Sequence, residues 1–134
     1  MTGAIPEPEL TAAERRQVTE GMDQFNRGLF FECHDTLEDV WTGVRGPSRD
    51  FFQGLIQVAV GFYHLGNDNR GGAATMLRRG LGRLAKYPDG YGGIELVRLR
   101  GEVQEWLERV ESGDTSFPET LDALPKLVVA PAAS

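Results

Sequence analysis

SRDFFQGLIQVAVGFYHL, residues 48–65, sets Phe51, Phe52, Leu55, Ile56, Val58, Val60 and Phe62 on several faces of one predicted helix. A helix apolar nearly all round leaves no face for water, so it belongs at the centre of a bundle. Pro47 or Ser48 sits near its first turn, and the Gly- and Asn-rich NDNRGG stretch, residues 67–72, closes it. Upstream, a helix from Leu29 to about Thr42 stops at Gly43. Before that, one from about Glu9 to Asn26 opens on a Thr11/Glu14 capping box, buries Val18, Met22 and Phe25, and stops at Gly28. Downstream, Ala73, Met76, Leu77, Leu81 and Leu84 predict a fourth amphipathic helix with Arg78, Arg79 and Arg83 on its outer face. A fifth runs from about Ile94 to Val110. No sustained period-two alternation suggests a strand, and the expected class is all-α: a compact bundle of about five helices built on antiparallel hairpins. The TLDALPKLVV segment of the tail, residues 120–129, is expected to pack as an extended strap, with residues 130–134 frayed.

The 134 residues are read as one domain, 1–134, with a core at about 25–84 and a tail at 114–134, and 40% hydrophobic content is enough to bury a core. Fourteen basic against 20 acidic residues leave a formal net charge of -6, which disfavours nucleic acid and anionic lipid as partners. No apolar run approaches the ~20 residues a bilayer crossing needs. Cys33 is the single cysteine and cannot close an internal disulfide. With no charged-then-apolar leader at the start, the expected location is the cytoplasm.

The chemistry is concentrated in FFECHDTLEDVW, residues 30–41. On a helix His34, Glu38 and Trp41 share a face, with Asp35 beside Glu38 and Glu32 close by. One turn apart, the His34 imidazole can bond the Glu38 carboxylate, which fixes its tautomer. Gln53, Gln57 and His64 fall on one face of the apolar helix that follows. If the two helices pair antiparallel, these polar rows meet, and the candidate groove is Glu32, His34, Asp35, Glu38, Trp41, Gln53, Gln57 and His64. The competing reading is structural: polar side chains against an apolar partner satisfy one another because unpaired buried groups are costly. A divalent metal on His34, Glu38 and His64 is the cofactor reading, against which stands the absence of HExxH and of the Glu-x-x-His pairs of di-metal bundles.

Other features read as scaffold. Cys33 points about 100° from its neighbour His34 and is expected to be a small core residue. Gly71 and Gly72 beside Arg70, Arg78 and Arg79 read as a turn and a solvated basic face. Trp41 and Trp106 are expected in the core. Tyr87 and Tyr91, among glycines, suggest a mobile loop or a plain connection. A shift of 40 residues carries Cys33 onto Ala73, Leu37 onto Leu77 and Trp41 onto Leu81. This small-Leu-large spacing is that of tetratricopeptide-type hairpins, and chance matching of two amphipathic helices accounts for it equally well.

The string FNRGLFFECHDTLEDVW, followed after a short turn by RDFFQGLIQVAVGFYHLGNDNRGGAATMLRRGLGRL, resembles the DUF309 family of small bacterial and archaeal helical proteins. The resemblance covers about Phe25 to Leu84. It rests on Glu32, His34, Asp35, Glu38 and Trp41, then on Gln53, Gly54, Leu55, Ile56, Gln57 and His64, and it implies a compact helical bundle with Cys33 at a small packing position. It implies no activity. Two classes of function follow: a non-catalytic module engaging another protein or a second copy of itself, or a small metal-dependent or acid-base hydrolase using His34, Glu38 and His64.

Overall fold

The computed structural model describes residues 4–113 and 121–131. Among them are five α-helices and no strand: α1 Ala12–Asn26, α2 Phe30–Gly43, α3 Arg49–Gly66, α4 Arg70–Leu84 and α5 Leu96–Glu111. The Thr11/Glu14 capping box is formed, with Thr11 Oγ1 accepting from the Glu14 amide and Glu14 Oε1 from the Thr11 amide, which satisfies two donors that helix geometry leaves open. Pro47 lies in a 3-10 turn, Gly46–Ser48, that feeds α3. As its composition demands, α3 is the most enclosed helix, packed on α2 and on α4. Phe51, Phe52, Leu55, Val58, Ala59 and Phe62 are buried along it.

The first four helices form two hairpins whose turns superpose in sequence at the 40-residue shift. In the first, the amides of Arg27, Gly28 and Leu29 donate to the carbonyls of Gln24, Phe25 and again Gln24. In the second, those of Asn67, Asp68 and Asn69 donate to His64, Leu65 and again His64. Gly28 and Asp68 hold the same left-handed backbone, at φ 76° and 59°. The hairpins also close in the same way. A Cβ on Gly21 would stand 2.7 Å from Leu37 Cδ2, and one on Gly61 would stand 2.6 Å from Leu77 Cδ2. A glycine on one helix thus receives a leucine from the next, in both hairpins.

Helix α5 packs on α4 and carries Leu99, Val103, Trp106, Leu107 and Val110 inward. Ile94 lies just before this helix, in a single antiparallel bridge to Val129. The described part of the tail is the expected strap. Leu124 and Leu127 are buried, and Asn26 clamps Leu127 by accepting from its amide at 2.7 Å and donating to its carbonyl at 3.0 Å. Ala130 donates to the Gly93 carbonyl at 2.8 Å, so the fraying expected from 130 does not begin there, and residues 132–134 of that expected end lie outside the described residues. The segment around Tyr87 and Tyr91 is not a loose loop. Both rings are buried against Phe51, and Tyr91 donates to the Pro6 carbonyl at 2.6 Å, tying the N-terminal segment down. Burial pushes the Tyr91 phenol up to about 12, with the charges of Tyr87 and Glu7 adding to it.

No helix among the described residues is long and apolar enough to cross a membrane.

Candidate functional site

Helix α2 turns Phe30, Cys33, Leu37 and Val40 into the core, and this fixes what its other positions can do. His34, Glu38 and Trp41 come to lie along the seam with α3. There, with Gln53, Gln57 and Met76, they line a hollow of about 270 Å³. His34 also borders a second hollow, of about 190 Å³, with Phe30, Phe31, Val60, Tyr63 and His64. The imidazole therefore stands between a hollow in which Glu38, Gln53 and Gln57 edge an apolar wall completed by Ile56 and Val60, and the almost wholly apolar half of the groove beyond.

His34 Nε2 lies 2.8 Å from Glu38 Oε2, and its Nδ1 lies 3.4 Å from Asp35 Oδ1. The His34 side chain is 26% exposed, so it is a wall of the groove and not a sealed core group. His64 faces the apolar half and approaches Asn69 Nδ2 through Nδ1 at 3.4 Å. Glu32 borders a third hollow beside Phe31 and Tyr63, and Asp35 lines none of the three and reaches the site through His34. Among the described residues no group of three His, Cys, Asp or Glu side chains is arranged to hold a metal ion, so His34, Glu38 and His64 do not form such a set.

Gln57 is fixed from the far side, because Arg83 of α4 donates to its Oε1 at 3.0 Å and also pairs with Asp50, as does Lys86. Burial alone would raise the Asp50 carboxyl. The Lys86 hydrogen bond and the charges of Arg83 and Lys86 outweigh it and hold the group below the ordinary carboxylate range. Arg83 is thus not part of a solvated outer face, and Arg78 pairs with Glu111 of α5. Trp41 is half-buried, not a core ring. The Arg49 guanidinium lies 3.8 Å from its ring centroid, and its Nε1–H is sealed without an acceptor.

Cys33 is fully buried, and burial pushes its thiol up to about 12 against a small opposing effect of a backbone hydrogen bond at Phe25. A thiol held neutral in the core is neither nucleophile nor ligand.

What the residue pattern did not announce is the aromatic rim. Phe31 and Tyr63 are 47% and 39% exposed, and their ring centroids are 5.3 Å apart across the seam. The signal available was positional: Phe31 stands three residues before His34 and so shares its face. Met76 and Arg83 gave no such signal, since nothing local ties α4 to α2.

Residues 18–76 match the family model described as a domain of unknown function, DUF309. The match takes in α2 and α3 entire, and with them every residue of the groove except Arg83 behind it. Outside it stand the start of α1, the second half of α4, α5 and the strap. An uncharacterized protein of Aquifex aeolicus (strain VF5) is 28% identical over 102 residues, which cover 75% of this chain and 31% of that relative. The chain therefore spans about a third of the curated relative it matches. Neither comparison attaches a reaction to the matched residues.

Proposed function

We propose that this chain is a non-catalytic binding module whose α2–α3 groove takes a segment of another polypeptide. The observation that carries the reading is the exposed Phe31–Tyr63 pair, beside a mainly apolar hollow edged by Glu38, Gln53 and Gln57. Large aromatic side chains left to water beside hydrogen-bonding groups have the composition of binding surfaces, whose energetic centres favour aromatics. The Gln53 side chain lines the hollow with no hydrogen bond to another described side chain or main chain, so its amide is available to a main chain laid along α3. The two like hairpins support the same reading, since paired-helix units of this kind present grooves of side chains on rigid elements. A random-peptide library displayed on phage and panned against the full chain tests it. Binders that are lost on the double variant Phe31→Ala/Tyr63→Ala, with its thermal melt unchanged, are the expected result. Binders indifferent to both changes would place recognition elsewhere.

One observation favours the alternative, an acid-base or metal-dependent hydrolase: the 2.8 Å contact between His34 Nε2 and Glu38. The hollow that His34 and Glu38 line has no Ser, Thr or Cys in its wall, so water would have to be the nucleophile. Elemental analysis of protein purified without chelator decides the metal form of this reading, which requires stoichiometric metal that disappears in His34→Ala.

A further inference from the structure

We infer that the segment taken by the groove brings a lysine or arginine flanked by apolar residues, its cationic end on Glu38 and its stem across the Phe31–Tyr63 hollow. The inference rests on the binding reading above and adds the chemistry of the partner.

Charge is its first support. Helix α2 carries Glu32, Asp35, Glu38 and Asp39 and no lysine or arginine. Among the described residues the ion pairs of Asp35 and Glu38 run to His34 alone. Several cations of the neighbouring helices are committed elsewhere. Arg83 serves Asp50 and Gln57, Arg78 serves Glu111, and Arg70 donates to the carbonyls of Val110 and Glu111. Arg49 lies over Trp41 and donates to the carbonyls of Trp41 and Val44. Arg79 is exposed three residues beyond Met76 on α4, and on that side it opposes a positive ligand.

Shape is the second. The hollow between Phe31, His34, Val60 and Tyr63 is apolar and adjoins the Glu38 carboxylate through His34. An acidic group beside an apolar slot fits a side chain with a hydrocarbon stem and a charged tip, which buries the one and keeps the other at the water's edge. Aromatic ring faces add a further attraction for the same tip. A purely apolar segment would leave the half-exposed Glu38 carboxylate with His34 as its partner and no added counter-charge, and an acidic one would meet the α2 carboxylates directly.

Fluorescence anisotropy on the peptides recovered by panning tests the inference, using wild type, Glu38→Gln and Phe31→Ala. The expected peptides place lysine or arginine next to apolar residues, lose about threefold in affinity on Glu38→Gln, and weaken as salt is raised. Peptides that need Phe31 but are neutral or acidic, and that ignore Glu38→Gln, would overturn the cationic inference while leaving the groove a binding site. A wild-type dimer that Phe31→Ala dissociates would also overturn it, by making a second copy the occupant. No peptide that depends on Phe31 or Tyr63 would overturn the binding reading itself.

Discussion

The hairpins α1–α2 and α3–α4 have the same backbone turn and the same glycine-to-leucine closure, yet they reach them with different residues. At the first turn a glycine takes the left-handed position and Leu29, the residue before α2, offers no side-chain cap. At the second, Asp68 takes that position, Asn67 Nδ2 donates to the Tyr63 carbonyl at 2.8 Å, and the Asn69 side chain caps α4 by accepting from the Gly72 amide at 3.0 Å. Glycine reaches positive φ freely, and Asp and Asn reach it with local hydrogen bonds as compensation. One geometry therefore has two chemical solutions. The surfaces diverge further: α2 is acidic and carries His34, whereas α4 is basic and locked to α3 and α5.

The strongest challenge to the equivalence is truncation of the two closing leucines. Both are fully buried, so Leu37→Ala and Leu77→Ala should each cost about 3 kcal/mol in urea melts. A cost for one less than half that of the other would show that only one hairpin is built around its leucine. Next in size is overpacking of the glycines. Gly61→Ala meets Leu77 Cδ2 and also the Leu77 backbone nitrogen at 3.2 Å, whereas the Gly21→Ala methyl meets only side-chain atoms. Flexible ends move and backbone does not, so Gly61→Ala should cost about 2 kcal/mol and Gly21→Ala at least about 1 kcal/mol less, after the helix-propensity gain both share.

The turns give a smaller and opposite pair of effects. Gly28→Ala should lose about 1 kcal/mol, from forcing a side chain into left-handed backbone, while Asp68→Gly should be neutral or slightly stabilising in the same melts. A loss on Asp68→Gly as large as that on Gly28→Ala would mean that Asp68 does more than adopt the turn.

The smallest effect separates the hairpins by charge. Asp50 has its Arg83 and Lys86 partners in the second hairpin, and the 40-residue shift puts Leu10, Gly43 and Gly46 at the matching positions of the first. Because Asp50 is held below its unfolded value near ~3.9, its contribution is complete above that pH and is lost as pH falls through the lower folded value. Asp50→Asn should therefore cost about 0.5–1 kcal/mol at neutral pH, and the difference from wild type should close in acid. A difference that persists undiminished below pH ~3 would assign the loss to packing instead of charge.

Much of this architecture is legible in local sequence. The capping box at Thr11, the stops at Gly28 and Gly43 and the apolar spacing of each helix are statements about neighbours within a turn or two, where the chain has little freedom to contradict them. The misreadings are those that depend on distant contacts. Tyr87 and Tyr91 look like loop residues because glycines surround them, and they are core residues because Phe51, far along the chain, packs against both rings. Arg83 has the spacing of an outer-face arginine, but Asp50 and Gln57 draw it inward. Trp41 has the composition of a core ring and stands half-open with Arg49 over it.

The sequence by itself determined an all-helical chain, the central place of α3 and the presence of His34, Glu38 and Trp41 on one helix face. Periodicity and capping are local, and helix geometry translates them directly into position. Only the tertiary structure decided that Gln53 and Gln57 meet that face and that His34 stands between two hollows, one edged by their amides and one walled by aromatic rings. It alone showed that Phe31 and Tyr63, on different helices, form one exposed rim. Those relations depend on how far α2 and α3 slide and rotate against each other, and that is set by contacts such as Phe30 stacked on Phe62, between residues too far apart in the chain for a local pattern to encode.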